Sequence, residues 1–450
     1  MKKKIVSLAL TAAIYAPVFH LHAAGFQLAE YSATGLGRAF AGEAAMADNA
    51  SAQGRNPALL TQLQGQQFSF GGIYVMPNVD IEGEVNLASP LLGGQTITIA
   101  GDANDVADNA LVPNFYYSQQ LSEQWYLGLA VNSHYGLATG VADTHATAIF
   151  GNETAVTTVE FNPNLAYQLT EDLSVGAGLR LVYGDGKISA SAPAWIDTIK
   201  AIPGVPVAIT VALPPAGSSL KTMEGDDIAL GWKLGASWQI NPAHRLGLAY
   251  HSGVKLELDG YAGGVVYDGG QDWQIEGYVP LELPAFTELA SYHQLTDNWA
   301  LHASVNWTQW HVFKQLVAYF PGQQKPVGDI ASDLVKEENF KDSWRFALGS
   351  SYWLSNTWSL RAGVALDKTA VDDEHRTITI PDSDRLWLSV GTGYQLAPTL
   401  LLDMGVTYIK AVGEAPINEE MTLLNMAQVS FNGETRGDVW LVGAQLSYKM

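Results

Sequence analysis

The stretch "DDIALGWKLGASW", residues 226–238, decides the fold. Its even positions Ile228, Leu230, Trp232, Leu234, Ala236 and Trp238 are apolar, while Asp227, Ala229, Gly231, Lys233, Gly235 and Ser237 are small or charged. A period of two sends successive side chains to opposite faces, so this is a strand with one oily and one wet face. The pattern is read onward through Leu246, Leu248, Tyr250, Val254, Leu256 and Leu258, opposite Arg245, Gly247, His251, Lys255, Glu257 and Asp259. It returns near 344–348, 358–364, 386–390, 402–406 and 440–446. A soluble sandwich alternates in the same way, although its strands are commonly shorter.

Loop lengths separate the two architectures. Short polar turns lie near 119–123, 169–172, 240–244, 295–298, 354–357 and 396–399, and between them fall long segments at 134–156, 190–225, 260–281, 315–339, 369–382 and 411–436. Short and long connections alternate in a transmembrane barrel, with tight periplasmic turns and long external loops. The expectation is an all-β, fourteen-stranded antiparallel transmembrane β-barrel, with strands beginning near 67, 111, 124, 157, 172, 226, 244, 282, 298, 340, 357, 383, 399 and 437. Closure follows from physics, because an open sheet edge in lipid leaves backbone groups unpaired. Trp125, Trp238, Trp299, Trp358 and Tyr394, near strand ends, fit interfacial girdles.

The first 23 residues carry three lysines, an apolar run from Ile5 to about Phe19 and a small residue at Ala23, the pattern of a cleaved export signal. No later run of 18 or more apolar residues suggests a helical span. The chain has a net charge of -21, and losing Lys2, Lys3 and Lys4 takes the mature part to -24. So acidic a surface argues against nucleic acid partners. With no cysteine there is no disulfide scaffold and no thiol chemistry. Neither a cofactor motif nor a metal cluster with ligand spacing is visible. His134, His251, His302 and His311 have no telling serine partner, which disfavours a hydrolase.

Residues 24–66 precede the first strand and are too polar and small for lipid. They read either as a disordered tail or as a compact plug in the lumen, with 67–450 forming the barrel. Gly35, Gly37 and Gly42 permit tight bends, and Asn56-Pro57 ends regular structure.

The stretch "GFQLAEYSATGLGRAFAGEAAMADNASAQGRNPALL" (25–60) resembles the N-terminal signature of the FadL family of outer-membrane transporters for long-chain fatty acids and other hydrophobic molecules. The similarity continues in "NSHYGLAT" (132–139), "ENFKDSWRFALGSSYWLSNTWSLRAGVALDKT" (338–369) and "RTITIPDSDRLWLSVGTGY" (376–394). The resemblance implies a fourteen-stranded barrel in the outer membrane of a Gram-negative bacterium, its lumen closed by an N-terminal hatch. It implies passive uptake: capture on an apolar groove of the outer loops, transfer to a pocket near the hatch, and lateral exit at a kink in the third strand. Lipid and lipopolysaccharide would surround it, it would act as a monomer, and no cofactor or enzyme activity is implied.

Carried onto this chain, the kink matches Asn132, Ser133, His134 and Gly136, and the hatch motif matches Asn56, Pro57 and Ala58. Phe26 is placed to reach the pocket, and Arg38 and Glu43 are structural partners in the plug or its reversible anchor. Trp195, Ile199 and Ile202, in an outer segment rich in apolar residues, read as the capture groove or as residues the loop buries on itself. Trp307, Trp310 and Phe313 supply apolar wall, and Lys314 matches a head-group position or is a rim lysine. Fatty acid members carry an arginine in the fifth strand within a stretch like "VYARAK"; this chain has "VYGDGK", with Asp185 there and Lys187 as the nearest cation. That departure keeps neutral hydrophobic compounds, aromatic hydrocarbons among them, open as an alternative substrate. A water-filled porin would leave the plug segment and the oily loop without a purpose.

Overall fold

The computed structural model describes residues 25–90, 94–202, 205–268, 274–321, 331–423 and 427–450. The export signal at 1–23 lies outside the described residues. The first strands are β1 (Gln66–Ala88), β2 (Ala110–Gln120), β3 (Trp125–Asn132), β4 (Glu153–Gln168), β5 (Leu173–Ser191), β6 (Ser219–Asn241) and β7 (His244–His251). After them come β8 (Phe286–Thr296), β9 (Trp299–Thr308), β10 (Ser343–Ser355), β11 (Trp358–Asp367), β12 (Asp384–Ala397), β13 (Leu400–Val412) and β14 (Ala427–Lys449). Together they form a closed fourteen-stranded antiparallel barrel. Closure is made by β1 on β14, in register from Gln67 opposite Lys449 to Ala88 opposite Gln428.

The alternation read from the sequence is the alternation of the wall. Leu230 is 72% and Phe70 63% exposed on the outside, whereas Arg180, Lys233, Glu288 and Asp403 are buried inside. Such an inversion of the soluble pattern is what hydrocarbon outside and polar lumen inside require. Several strands begin earlier than expected: β4 at 153 rather than 157, β6 at 219 rather than 226, and β14 at 427 rather than 437. Their outer ends rise beyond the lipid-facing belt, where nothing demands an oily face. Further out, segments expected as loops form ladders of their own, Thr96–Ala100 on β1, Gln315–Tyr319 on Ser332–Glu337, and Pro416–Leu423 on β14.

One reading of the sequence is corrected here. Val254, Leu256 and Leu258 were expected on the outer face in phase with Leu246 and Leu248, yet all three are buried and Lys255, Glu257 and Asp259 are exposed. The ladder between β6 and β7 stops at Lys233 opposite His251 and resumes at Asp226 opposite Asp259. Across this irregularity, at Ser252–Gly253, the Trp232 N–H donates to Ser252 Oγ at 2.9 Å. A slip of this kind turns every later side chain to the other face.

The N-terminal segment, residues 25–65, lies against the inner wall in short turns. Ser32 caps the turn Ala33–Leu36 by accepting from Gly35 N. Arg38 pairs with Glu43 at 2.6 Å and Asp48 at 2.7 Å, and Tyr31 donates to Glu43 at 2.6 Å. Links to the wall run from Arg55 to Glu288 (3.0 Å), from Thr34 to Asp403 (2.8 Å) and from Lys233 to the Gln53 carbonyl (2.7 Å). Asn56 caps Pro57–Gln62 through Ala58 N and donates to the Ala44 and Ala236 carbonyls. This close seat exists because β5 and β6 present glycines: a Cβ on Gly235 would lie 1.9 Å from Asn56 Oδ1, and one on Gly176 2.5 Å from Ala58 N.

Candidate functional site

Phe26 has no freedom in this structure: it is 1% exposed, with ring centroids 4.6 Å from Trp310, 5.3 Å from Phe313 and 6.2 Å from Tyr135. Its ring forms the inner end of a cavity enclosing about 720 Å³ of empty space, partly open to solvent. The rest of the wall comes from Leu137, Val156, Leu258, Leu281, Phe313 and Ile380, and is overwhelmingly apolar. Space is made by four glycines in cross-strand register, Gly186 opposite Gly225, Gly225 opposite Gly260 and Gly260 opposite Gly277. Lys187 borders the cavity, but it shares the outward face of β5 with Asp185, and there Glu153 holds it at 2.6 Å. Such a pocket takes a hydrophobic body.

Next to the pocket the wall is broken. β3 stops at Asn132 and resumes as Gly136–Gly140, and β2 pairs with it only from Phe115 opposite Val131 to Gln120 opposite Tyr126. The N-terminal segment takes up the loose backbone: Leu28 N donates to the His134 carbonyl at 2.7 Å, and Gly136 N donates to the Phe26 carbonyl at 2.8 Å. Tyr135 donates its hydroxyl to the Pro284 carbonyl at 2.6 Å, and Ser133 donates to the Thr158 carbonyl. The His134 ring lies beside the stacked pair of His251 and Phe286, with Nδ1 3.4 Å from the Glu160 carboxylate, which Arg180 also holds. On the β2 side the Asn114 amide, fully buried, has no hydrogen-bond partner among the described residues.

Of the residues singled out from sequence, Phe26 and Phe313 line the pocket with Trp310 packed behind them, Lys187 borders it from the outward face, and Asn132, Ser133, His134 and Gly136 meet at the break. The others lie elsewhere. Asp185 is on the exposed outer face, between the inward Gly184 and Gly186, so its charge does not confront a ligand there. Lys314 is exposed and absent from the pocket wall. Trp307 faces outward, stacked on Trp344 at 6.1 Å and hydrogen-bonded to Asp342. Trp195 is buried with Ile196 in a separate core of the outer cap, donating to the Ala146 carbonyl; Ile199 packs against that core and Ile202 is half-buried nearby. Sequence reasoning missed Tyr135, Leu258, Leu281 and the glycine row. Gly253, after His251 and Ser252, was the available sign that the phase changes.

A closed barrel with an oily belt, a polar lumen occupied by its own N-terminal segment and an apolar pocket beside a broken strand defines an outer-membrane transport barrel. The chain belongs to the family described as outer membrane protein transport protein (OMPP1/FadL/TodX), whose model matches residues 18–450. It is 33% identical over 443 residues to a long-chain fatty acid transport protein of Escherichia coli O6:H1, covering 94% of each chain. To outer membrane protein P1 of Haemophilus influenzae it is 36% identical, with 91% of each covered. Among solved structures it resembles a Pseudomonas aeruginosa FadL homologue with a TM-score of 0.80, at 22% identity, covering 95% of this chain and 100% of that one. The Pseudomonas putida toluene transporter TodX shares the fold with a TM-score of 0.65 at 16% identity, over 95% and 100% of the two chains. The protein is therefore a Gram-negative outer-membrane transporter rather than an enzyme.

Proposed function

We propose that this protein passes hydrophobic molecules, long-chain fatty acids foremost, from the cell exterior into the outer membrane without energy input. Residues 24–66 act as the hatch, with Asn56, Pro57 and Ala58 seating it and Arg38 and Glu43 stiffening it from within; residues 67–450 form the conduit. The ligand is captured on the outer side, fills the apolar pocket against Phe26, and leaves sideways between β2 and β3. One observation carries this reading: Phe26 lines the pocket with its ring while its carbonyl accepts from Gly136 beyond the break. A ligand pressing on that ring presses on the backbone bonds that pin the break. All of these parts lie in one chain, so a monomer in lipid and lipopolysaccharide suffices.

Relatives named for long-chain fatty acid transport favour a carboxylate ligand. The scarcity of polar groups on the pocket wall favours a second reading, a neutral hydrophobic compound. Binding isotherms for a fatty acid and its methyl ester separate the two. A carboxylate ligand requires the acid to bind more tightly than its ester. Equal affinities for acid and ester would leave the neutral compound. Absence of saturable binding by either would defeat the uptake reading.

A further inference from the structure

The ladder between β2 and β3 ends at Phe115 opposite Val131. One residue further out each strand turns an asparagine toward the lumen, Asn114 on β2 and Asn132 on β3. Continued by one step, the register would set these two opposite one another. What the ladders show instead is Asn114 opposite Gly71 of β1 and Asn132 opposite Glu160 of β4. The opening in the wall therefore begins between two amides. Both side chains are buried, Asn114 at 2% and Asn132 at 3% exposure. Neither polar atom of the Asn114 side chain, nor the Asn132 Oδ1, has a hydrogen-bond partner among the described residues. The Asn132 Nδ2 donates to Tyr116 Oη at 3.3 Å, and Tyr116 donates in turn to the Tyr31 carbonyl at 2.7 Å. Neighbouring charges are engaged with each other, Glu160 with Arg180 at 2.9 Å and with His134 at 3.4 Å. A leucine at position 114 would fill a similar volume without burying an unmet donor and acceptor, so stability does not account for the amide.

We propose that Asn114 and Asn132 form an exit site for the polar end of the transported molecule, one that takes an uncharged group able both to donate and to accept a hydrogen bond, such as a hydroxyl, an amide or a protonated carboxylic acid. The proposal rests on the uptake reading above and deepens it. A molecule leaving sideways carries its polar end through the same opening as its chain, and in hydrocarbon a bare donor or acceptor has no partner. The Asn114 amide supplies a donor and an acceptor at the threshold, and the Asn132 oxygen supplies a second acceptor. Lifting of the N-terminal segment uncovers the pair, because it frees Tyr116 from the Tyr31 carbonyl and the His134 carbonyl from Leu28. A ligand without a polar end gains nothing there. Selection for a head group then falls at the exit, while the pocket selects for shape and oil.

The test follows two pyrene-labelled probes, a long-chain alcohol and the matching hydrocarbon, delivered from cyclodextrin into nanodiscs of brominated lipid that quenches pyrene on arrival. Discs holding the full-length barrel are compared with empty discs, and the difference is the protein's own rate. Asn114→Leu should slow the alcohol about tenfold, the worth of one neutral hydrogen bond, and leave the hydrocarbon unchanged. Asn132→Leu should act in the same direction, and Asn114→Gln should keep most of the wild-type rate. In a urea titration Asn114→Leu should unfold at a higher midpoint than the wild type, because an unmet buried amide has been removed. Heat-modifiable migration confirms folding, and should Asn114→Leu fail to fold, Asn132→Leu decides. An unmoved alcohol rate would show that the amides hold water only, and equal slowing of both probes would show that they merely shape the opening; either result overturns the proposal. Saturable loading of the pocket should be the same in wild type and variants, so the uptake reading is judged apart, and it falls if the wild-type protein loads neither probe.

Discussion

Replacing Phe26 by alanine tests the central link between pocket and broken strand. The ring is 1% exposed and packs edge-on against Trp310 and Phe313, so its removal leaves a void that Tyr135 and Trp310 cannot fill without leaving their own partners. Large-to-small substitution of a buried phenylalanine costs about 3–5 kcal/mol. Here the cost falls on a local event, the lifting of residues 25–28 from the wall, because the barrel ladder is untouched. About 3 kcal/mol corresponds to roughly a hundredfold rise in the open population. Two amides report that opening, Leu28 N–H, bonded to the His134 carbonyl, and Gly136 N–H, bonded to the Phe26 carbonyl. Hydrogen exchange followed by mass spectrometry should show lost protection in peptides covering 26–31 and 133–138, with peptides from β10 to β13 unchanged. Phe26→Leu should give a smaller effect in the same peptides. Unchanged exchange at both sites would refute the reasoning, because the segment would then be held by its ion pairs alone. Uniform loss across the barrel would refute it too, because the ring would then be supporting the global fold.

Arg38→Met should leave the buried Glu43 without its cation and Asp48 unpaired from it, at a cost of about 3–5 kcal/mol; conductance across a planar bilayer should rise as the lumen opens, and wild-type conductance would count against a hatch. Burial pushes the Glu338 carboxyl from its ordinary 4.5 up to about 8, with Lys336 pulling it down and Glu419 adding to the rise. The fold thus holds a proton that the open segment releases, so this stabilisation is complete below 4.5 and is lost as pH climbs to about 8, by about 1.4 kcal/mol per unit. Glu338→Gln should flatten the pH dependence of protease nicking around 331–345 over that window; an unchanged profile would mean that Glu338 is not the titrating group. Lys314→Met should leave affinity for acid and ester alike unchanged, since that side chain is exposed and away from the pocket wall; selective loss of the acid would return Lys314 to the ligand.

The barrel was legible because lipid imposes a rule on every residue of a membrane-crossing strand. In 228–238 the oily positions meet hydrocarbon and the glycines, Lys233 and Ser237 meet the lumen, so periodicity, strand count and the alternation of short and long connections all agree. The rule lapses above the membrane, and the reading lapsed with it. The outer ends of β4, β6 and β14 and the hairpins at 315–337 and 416–434 are held by backbone ladders whose side chains face water on one side and a small cap core on the other. Trp195 shows the limit of composition as a guide. An apolar loop in sequence suggests an exposed oily patch, yet a cap of this size buries such a residue for its own stability.

The pocket was legible only where a residue's neighbours in sequence are also its neighbours in space. Trp310 and Phe313 share one short turn, where aromatic character pointed to them, and Phe26 was pointed to by the resemblance that places it in the hatch. The opposite wall depends on phase, and phase is lost at a bulge. One slip near Ser252 moves Leu256 from lipid into the buried cluster and Leu258 into the pocket wall, and turns Lys255 and Glu257 outward. The same logic governs Asp185 and Lys187: on either side of the inward Gly186 and two residues apart on one strand, both point away from the ligand. Charge in the sequence "VYGDGK" therefore does not translate into charge at the site. What the wall presents is a row of glycines among apolar side chains, an arrangement selective for shape and oil before it is selective for a head group.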